Sequence, residues 1–240
     1  MDWDNDGSKD LVLGGYYGYL KVYLNTGTDD APVFDGFTYV EVNASRFDCG
    51  GYSTPDVVDW NGDGKKDLLC GEQDGVVNLL LNTSTNDTPQ FAAQTLIQDS
   101  GANLDIGTYS HPVAFDWDRD GKKDLLIGDS GGQVKFYRNV GTDATPAFSG
   151  SELLVAGAGT TIDVGTYSRP EIADWNDDGY EDRIVGAYDG YVRVYGATPI
   201  LNLAAPAAVA EGDGVLTGQG SVAIASPLTS NLVVTLTSED

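Results

Sequence analysis

The chain has 240 residues with 37 acidic against 13 basic side chains, a formal net charge of −24 and a pI near 4.1. That balance argues against nucleic acid or an anionic membrane surface as a partner, because phosphate contacts need clustered Lys and Arg. Apolar residues at 41% and 24 aromatics exclude a disordered acidic tail, and no apolar stretch approaches the ~20 residues of a membrane span.

The first element in the chain is a nine-residue loop, Asp2 to Asp10, of the form Asp-Trp-Asp/Asn-x-Asp-Gly-x-x-Asp. A short apolar run, Leu11-Val12-Leu13, follows it and ends at glycine. The run is too short for a helix, so the loop is predicted to feed a strand. The loop returns at Asp59–Asp67, Asp116–Asp124 and Asp174–Asp182, with starts 57, 57 and 58 residues apart. A fixed period of that size signals a repeat architecture.

The second unit opens on Asp48-Cys49-Gly50-Gly51-Tyr52-Ser53-Thr54-Pro55, before its loop. The third, from Asn103 to about Gly159, is the most complete. There Asp105-Ile106-Gly107-Thr108-Tyr109-Ser110-His111-Pro112 leads into a strand at Val113–Phe115, then the acidic loop, then strands at 125–128, 133–138 and about 152–156. Gly131-Gly132 and Gly141–Pro146 supply the turn chemistry between them. Unit one lacks the leading strand, and unit four follows the pattern through Tyr191–Tyr195 and departs at Gly196. The expected count is three, four, four and three antiparallel strands. Four-stranded units that bury their faces against neighbours are β-propeller blades. The fold class is therefore all-β, with about three and a half blades over residues 1–197. Residues 198–210 are expected to be a linker. Residues 211–240, with predicted strands at 215–217, 221–225 and 231–237, are expected to begin a partial β-sandwich.

Oxygen donors at loop positions 1, 3, 5 and 9, with glycine at 6, are the pattern of a calcium cradle, since Ca²⁺ takes six to eight oxygens. The predicted ligands are Asp2, Asp4, Asp6 and Asp10; Asp59, Asn61, Asp63 and Asp67; Asp116, Asp118, Asp120 and Asp124; and Asp174, Asn176, Asp178 and Asp182. Position 7, which is Ser8, Lys65, Lys122 or Tyr180, would add a backbone carbonyl. An EF-hand would require a bidentate Glu at position 12, where this chain has Leu13, Cys70, Ile127 and Val185. Four Ca²⁺, one per repeat, would bring the formal charge from −24 to −16.

These loops, with the Asn-Thr-Gly-Thr and Gly-x-Tyr-Ser-x-Pro elements, make residues 2 to about 195 resemble the FG-GAP/VCBS repeat family, related to the integrin α-chain propeller. The tail from Glu211 more weakly resembles the opening of a Calx-β or immunoglobulin-like domain. The resemblance implies an extracellular or cell-surface protein, Ca²⁺ in the loops, and a ring that usually closes with seven blades. The expectation is therefore a fragment, its signal peptide and missing blades belonging to the rest of a longer chain.

The other conspicuous residues are given structural roles. Trp3, Trp60, Trp117 and Trp175, at loop position 2, are expected to wedge between blades. Asp48, Asp105 and Asp163 are expected to cap the turn that follows them. Cys49 and Cys70 align with aliphatics of other units (Ile106 and Val164; Ile127 and Val185), so buried free thiols are expected, with a disulfide as the alternative. His111 aligns with Thr54 and Arg169, which suggests an exposed, replaceable position and no general base. Tyr16, Tyr17, Tyr19, Tyr188 and Tyr191 flank exposed turns where a partner could dock. The resulting expectation is a non-catalytic extracellular module that recognises a protein or glycan ligand in adhesion. The alternative is a propeller segment of a secreted carbohydrate-active enzyme with catalysis elsewhere.

Overall fold

The computed structural model describes residues 1–156 and 160–196 in full, and the backbone of the strands Leu201–Ala204 and Ser221–Ile224. Every regular element among these is a strand. The repeats supply the expected three, four, four and three strands, and the sheet of blade 2 is extended to six by the short strands Glu41–Val42 and Ser45–Arg46, with Val42 parallel to Phe91. In blade 2 the strands Thr54–Val58, Asp67–Gly71, Val77–Asn82 and Phe91–Leu96 pair antiparallel in sequence order, with Val57 opposite Leu68, Leu68 opposite Leu80 and Leu80 opposite Gln94. Blade 3 repeats this with His111–Phe115, Asp124–Gly128, Val134–Tyr137 and Glu152–Leu153. Blade 1 consists of Leu11–Leu13, Lys21–Tyr23 and Thr38–Tyr39. Blade 4 consists of Arg169–Ala173, Asp182–Gly186 and Val192–Tyr195.

In blades 2 and 3 the second strand reads as an unbroken apolar run because both of its faces are covered. Leu68 and Cys70 point into a cluster shared with blade 1, which holds Trp3, Leu20 and Val22. Leu69, between them, points the other way, into a cluster shared with blade 3 that holds Leu104, Ile106, Leu125 and Ile127. Leu126 of blade 3 then faces blade 4, in a third cluster with Ile162, Val164 and Val185. Side chains alternate along a strand, so consecutive leucines serve opposite interfaces.

Each blade is latched to the one before it by the Gly-x-Tyr-Ser segment. Ser110 donates its backbone N–H to Glu72 O (3.0 Å), and its hydroxyl donates to Val76 O (2.6 Å) while accepting from Glu72 N–H (2.9 Å). Ser168 makes the corresponding contacts with Asp129 and Gln133. The glycine that ends the apolar run of blades 1, 2 and 3 is explained by this latch. A Cβ on Gly71 would lie 2.2 Å from Ser110 O, and one on Gly128 2.2 Å from Ser168 O.

Three expectations are corrected. Cys49 and Cys70 are joined by a disulfide, with Cα atoms 6.5 Å apart, and neither is a free thiol. Their aliphatic counterparts Ile106 and Ile127 share one cluster, and Val164 and Val185 another, so the same alignment that marks core positions also marks neighbours. His111 is half-buried, its Nδ1 shielded from solvent, because it begins an inner strand flanked by those of blades 2 and 4. Leu201–Ala204, inside the expected linker, is a strand paired antiparallel with Ser221–Ile224. The latter coincides with one of the expected tail strands; the predicted strands at 215–217 and 231–237 lie outside the described residues.

Candidate functional site

The acidic loop curls through two left-handed residues. Position 6 is glycine, at φ between 83° and 95°, and position 4 is also left-handed, at Asn5, Gly62, Arg119 and Asp177 with φ between 57° and 74°. The second of these bends carried no glycine signature in three of the four copies. With both in place, the position-1 carboxylate turns inward and accepts from the position-6 N–H: Gly7 to Asp2, Gly64 to Asp59, Gly121 to Asp116 and Gly179 to Asp174, at 2.8 to 3.1 Å. The position-5 carboxylate accepts from the position-7 N–H of Ser8, Lys65, Lys122 and Tyr180 in the same way. Position 3 (Asp4, Asn61, Asp118, Asn176) accepts from the N–H of Asp6, Asp63, Asp120 and Asp178.

Position 9 has a second duty. Asp10, Asp67, Asp124 and Asp182 are buried. Asp67 accepts from Trp60 N–H (3.0 Å) through one oxygen and from Asn82 N–H (2.7 Å) through the other. Asp10 does the same with Trp3 and Asn25, and Asp124 with Trp117 and Asn139. Each carboxylate oxygen keeps a further lone pair, so this bonding leaves coordination possible. Burial raises the carboxyls of Asp67 and Asp124 above the ordinary range despite these bonds.

A further set of residues braces the loop. Asp29, Asn86 and Asp143 accept from the position-8 N–H of Lys9, Lys66 and Lys123, at 2.6 to 2.7 Å. Asn25, Asn82 and Asn139 turn the bracing segment through paired acceptor bonds. The recurring Asn-Thr-Gly-Thr element was their sequence signal.

Carboxylate oxygens of Asp2, Asp4 and Asp10 lie within 4.8 Å of one another, as do those of Asp116, Asp118 and Asp120. Asp2 Oδ1 is shielded and lacks a hydrogen-bond partner among the described residues. Burial, then the charges of Asp6 and Asp10, raise the Asp4 carboxyl. Such crowding of hard oxygens fits a divalent cation of the Ca²⁺ type. Lys122 Nζ sits 2.8 Å from Asp120 Oδ2 and holds that carboxyl below its usual range, and Arg138 donates to Asp118. Loops 2 and 4 carry Asn61 and Asn176 at position 3, so each offers three carboxylates in place of four.

The tryptophans follow the blade order. Trp3 packs at a tilt against Phe91 of blade 2, and Trp60 against Phe148 of blade 3, each with ring centroids 6.4 Å apart. Trp117 is half-buried beneath Arg183 of blade 4. Trp175 has no following blade among the described residues and is 65% exposed. Asp48, Asp105 and Asp163 do cap their turns, accepting from Gly50, Gly107 and Gly165 N–H. Tyr16, Tyr17, Tyr188 and Tyr191 are exposed, whereas Tyr19 is half-buried against Tyr39 and Arg46.

Fold and site together define a repeat protein built of propeller blades with one acidic loop each. The family described as FG-GAP-like repeat matches residues 2–70 and again residues 59–127, a span of just over half the chain, and the chain belongs to that family. No curated protein sequence matches it.

Proposed function

We propose that this chain is a calcium-stabilised, non-catalytic recognition module that works outside the cell, binding a cell-surface, matrix or polysaccharide ligand. The observation that supports it most directly is the convergence of Asp2, Asp4 and Asp10 oxygens, one of them shielded and unpartnered, in a loop that recurs in every blade. Calcium here acts as a staple. It neutralises carboxylates that otherwise repel, and it ties the turn between first and second strands to the bracing segment. Loops with three or four carboxylates and no bidentate Glu are similar to extracellular modules with dissociation constants of ~10⁻⁴ to 10⁻³ M. Such sites fill in millimolar calcium and not in cytosol.

The test is thermal melting against added Ca²⁺ and against a chelator, beside a glycan and matrix-protein array probed in both conditions. Free ion a hundredfold above the dissociation constant adds about 2.7 kcal/mol per site. A melting curve indifferent to chelator would remove the metal from this reading. Release of unsaturated or reducing-end product from an arrayed polysaccharide would replace binding with catalysis.

A further inference from the structure

The end of the blades that carries the latch has a chemistry the acidic loops do not explain. Thr54, His111 and Arg169 occupy the same position, the first residue of the inner strand, in blades 2, 3 and 4. Those inner strands are neighbours, so the three residues meet where the blades converge. Two residues earlier in each unit stands a tyrosine: Tyr52, Tyr109 and Tyr167, all held at left-handed φ of 53° to 59°. That conformation is uncommon for an aromatic residue, and here it recurs in every latch. It lines the rings up in the order Tyr16, Tyr52, Tyr109, Tyr167, Tyr188, the first three contacts edge to face and the last tilted, at centroid spacings of 4.7 to 5.6 Å. A cavity of about 370 Å³ opens beside this arc, lined by Tyr16, Tyr52, Thr54, His111 and Arg169 among others.

Two polar groups there lack partners among the described residues. Twelve of the 13 Lys and Arg side chains are engaged by a carboxylate, a carbonyl or amide oxygen, or an aromatic ring. Arg169 is the exception among the described residues, in a chain with 37 carboxylates to choose from. His111 Nδ1 is shielded and has no hydrogen-bond partner among the described residues. Burial, and then the Arg169 charge, push the imidazole down to about 4, so it is neutral at physiological pH and adds no competing charge. The Thr54 hydroxyl donates to Ser110 O (2.8 Å), which leaves its lone pairs to accept from a guest hydroxyl.

We propose that this tyrosine-lined cavity binds a uronic-acid-containing glycan, with Arg169 pairing the sugar carboxylate, His111 and Thr54 bonding its hydroxyls, and the tyrosine arc contacting the pyranose rings. A planar guanidinium with five donors matches a carboxylate in bidentate fashion. Amphipathic phenol rings suit a ligand that is polar at its rim and apolar on its faces. Among the described residues Arg169 is the one cation free to meet a ligand there, so it pairs a single carboxylate of a short oligouronate while neutral side chains take the rest of the sugar. The proposal rests on the recognition reading above and narrows it to a ligand class.

The probes are tetragalacturonate, its carboxyl-reduced neutral counterpart, and a hyaluronan tetrasaccharide, titrated calorimetrically into the calcium-loaded chain and into Arg169→Gln. Arg169 is exposed and unpaired, so the variant should melt with the wild type. The expected result is binding of at least one uronate oligosaccharide, weakened about tenfold by Arg169→Gln and by carboxyl reduction. A Tyr16→Ala variant, altered at an exposed ring, should weaken it as well. Which of the two uronate sources binds decides between a galacturonan and a glucuronate-bearing partner. Equal affinity in Arg169→Gln, or binding of neither uronate, overturns the proposal. If the array still finds another ligand, the recognition reading survives that failure; if it finds none, both fall.

Discussion

Trp60 and Trp175 are the same residue at the same loop position, and the structure gives them opposite surroundings. Trp60 is 2% exposed, lies in the cluster between blades 2 and 3, and packs against Phe148, whereas Trp175 is 65% exposed. Truncating a buried aromatic costs about 3–5 kcal/mol, through lost burial and the cavity left behind. A surface substitution away from special features stays within about 0.5 kcal/mol. At the 2–4 °C per kcal/mol typical of a chain this size, Trp60→Ala should lower the melting temperature by roughly 6–20 °C, and Trp175→Ala by about 2 °C at most. Urea denaturation at fixed Ca²⁺ measures both, and a cycle with Phe148→Ala should return a coupling energy of about 0.5–3 kcal/mol for Trp60 alone. Fluorescence supplies an independent reading, since Trp175 should dominate the acrylamide-quenchable, red-shifted emission. If the two truncations cost the same, or Trp60 and Phe148 prove additive, these rings do not wedge blade to blade and the reasoning fails.

Further expectations concern the loops, the disulfide and the inner strands. Asp120→Ala should abolish calcium binding at the third loop, while Lys122→Ala, which removes a competitor for Asp120 and keeps the backbone, should leave affinity unchanged or raise it; equal losses would refute the loop geometry. Reducing the Cys49–Cys70 bridge, which spans 21 residues, should cost about 3 kcal/mol, matched by the double alanine variant; no change in denaturant midpoint would refute it. Asp56 is raised to about 6, chiefly by burial and despite a hydrogen bond from Ala114 N–H, and so favours the fold while protonated. That contribution is full below pH 3.8 and lost as pH rises to 6, about 3 kcal/mol in all. His111, lowered to about 4, has the opposite sign: its contribution is full above pH 6.5 and lost, again by about 3 kcal/mol, as pH falls to 4. Relative to wild type and in chelator, Asp56→Asn should therefore gain stability as pH rises from 4 to 6, and His111→Thr should gain it as pH falls from 6.5 to 4; parallel profiles would contradict both assignments.

Much of the molecule was legible in the chain because it is written four times. Repetition at a period near 57 separates signal from turn chemistry: Asp-Gly alone marks any tight bend, but Asp at positions 1, 5 and 9 in four copies marks a loop with an interior. The strand count followed from apolar runs and turn residues, and the turn-capping role of Asp48, Asp105 and Asp163 from their place before glycine. The bracing acceptors Asp29, Asn86 and Asp143 were harder to see, since each acts on a loop some 20 residues away. The cysteines show how a correct premise can lead to a wrong expectation. Their alignment with Ile106 and Ile127 gave burial correctly, but adjacency is a property of pairs and needed the register between one blade's latch and its second strand.

What the sequence by itself determined is local and periodic: the curl of the acidic loop, the strands it joins, and the all-β repeat family they build. Those features depend on residues within one unit, where spacing along the chain fixes spacing in three dimensions. Only the tertiary structure decided which tryptophan is buried, that Cys49 meets Cys70, and that Thr54, His111 and Arg169 share one cavity under a row of tyrosines. Those features depend on packing between units, where residues 57 or 58 apart in the chain become neighbours because each blade can bury its faces only against the next.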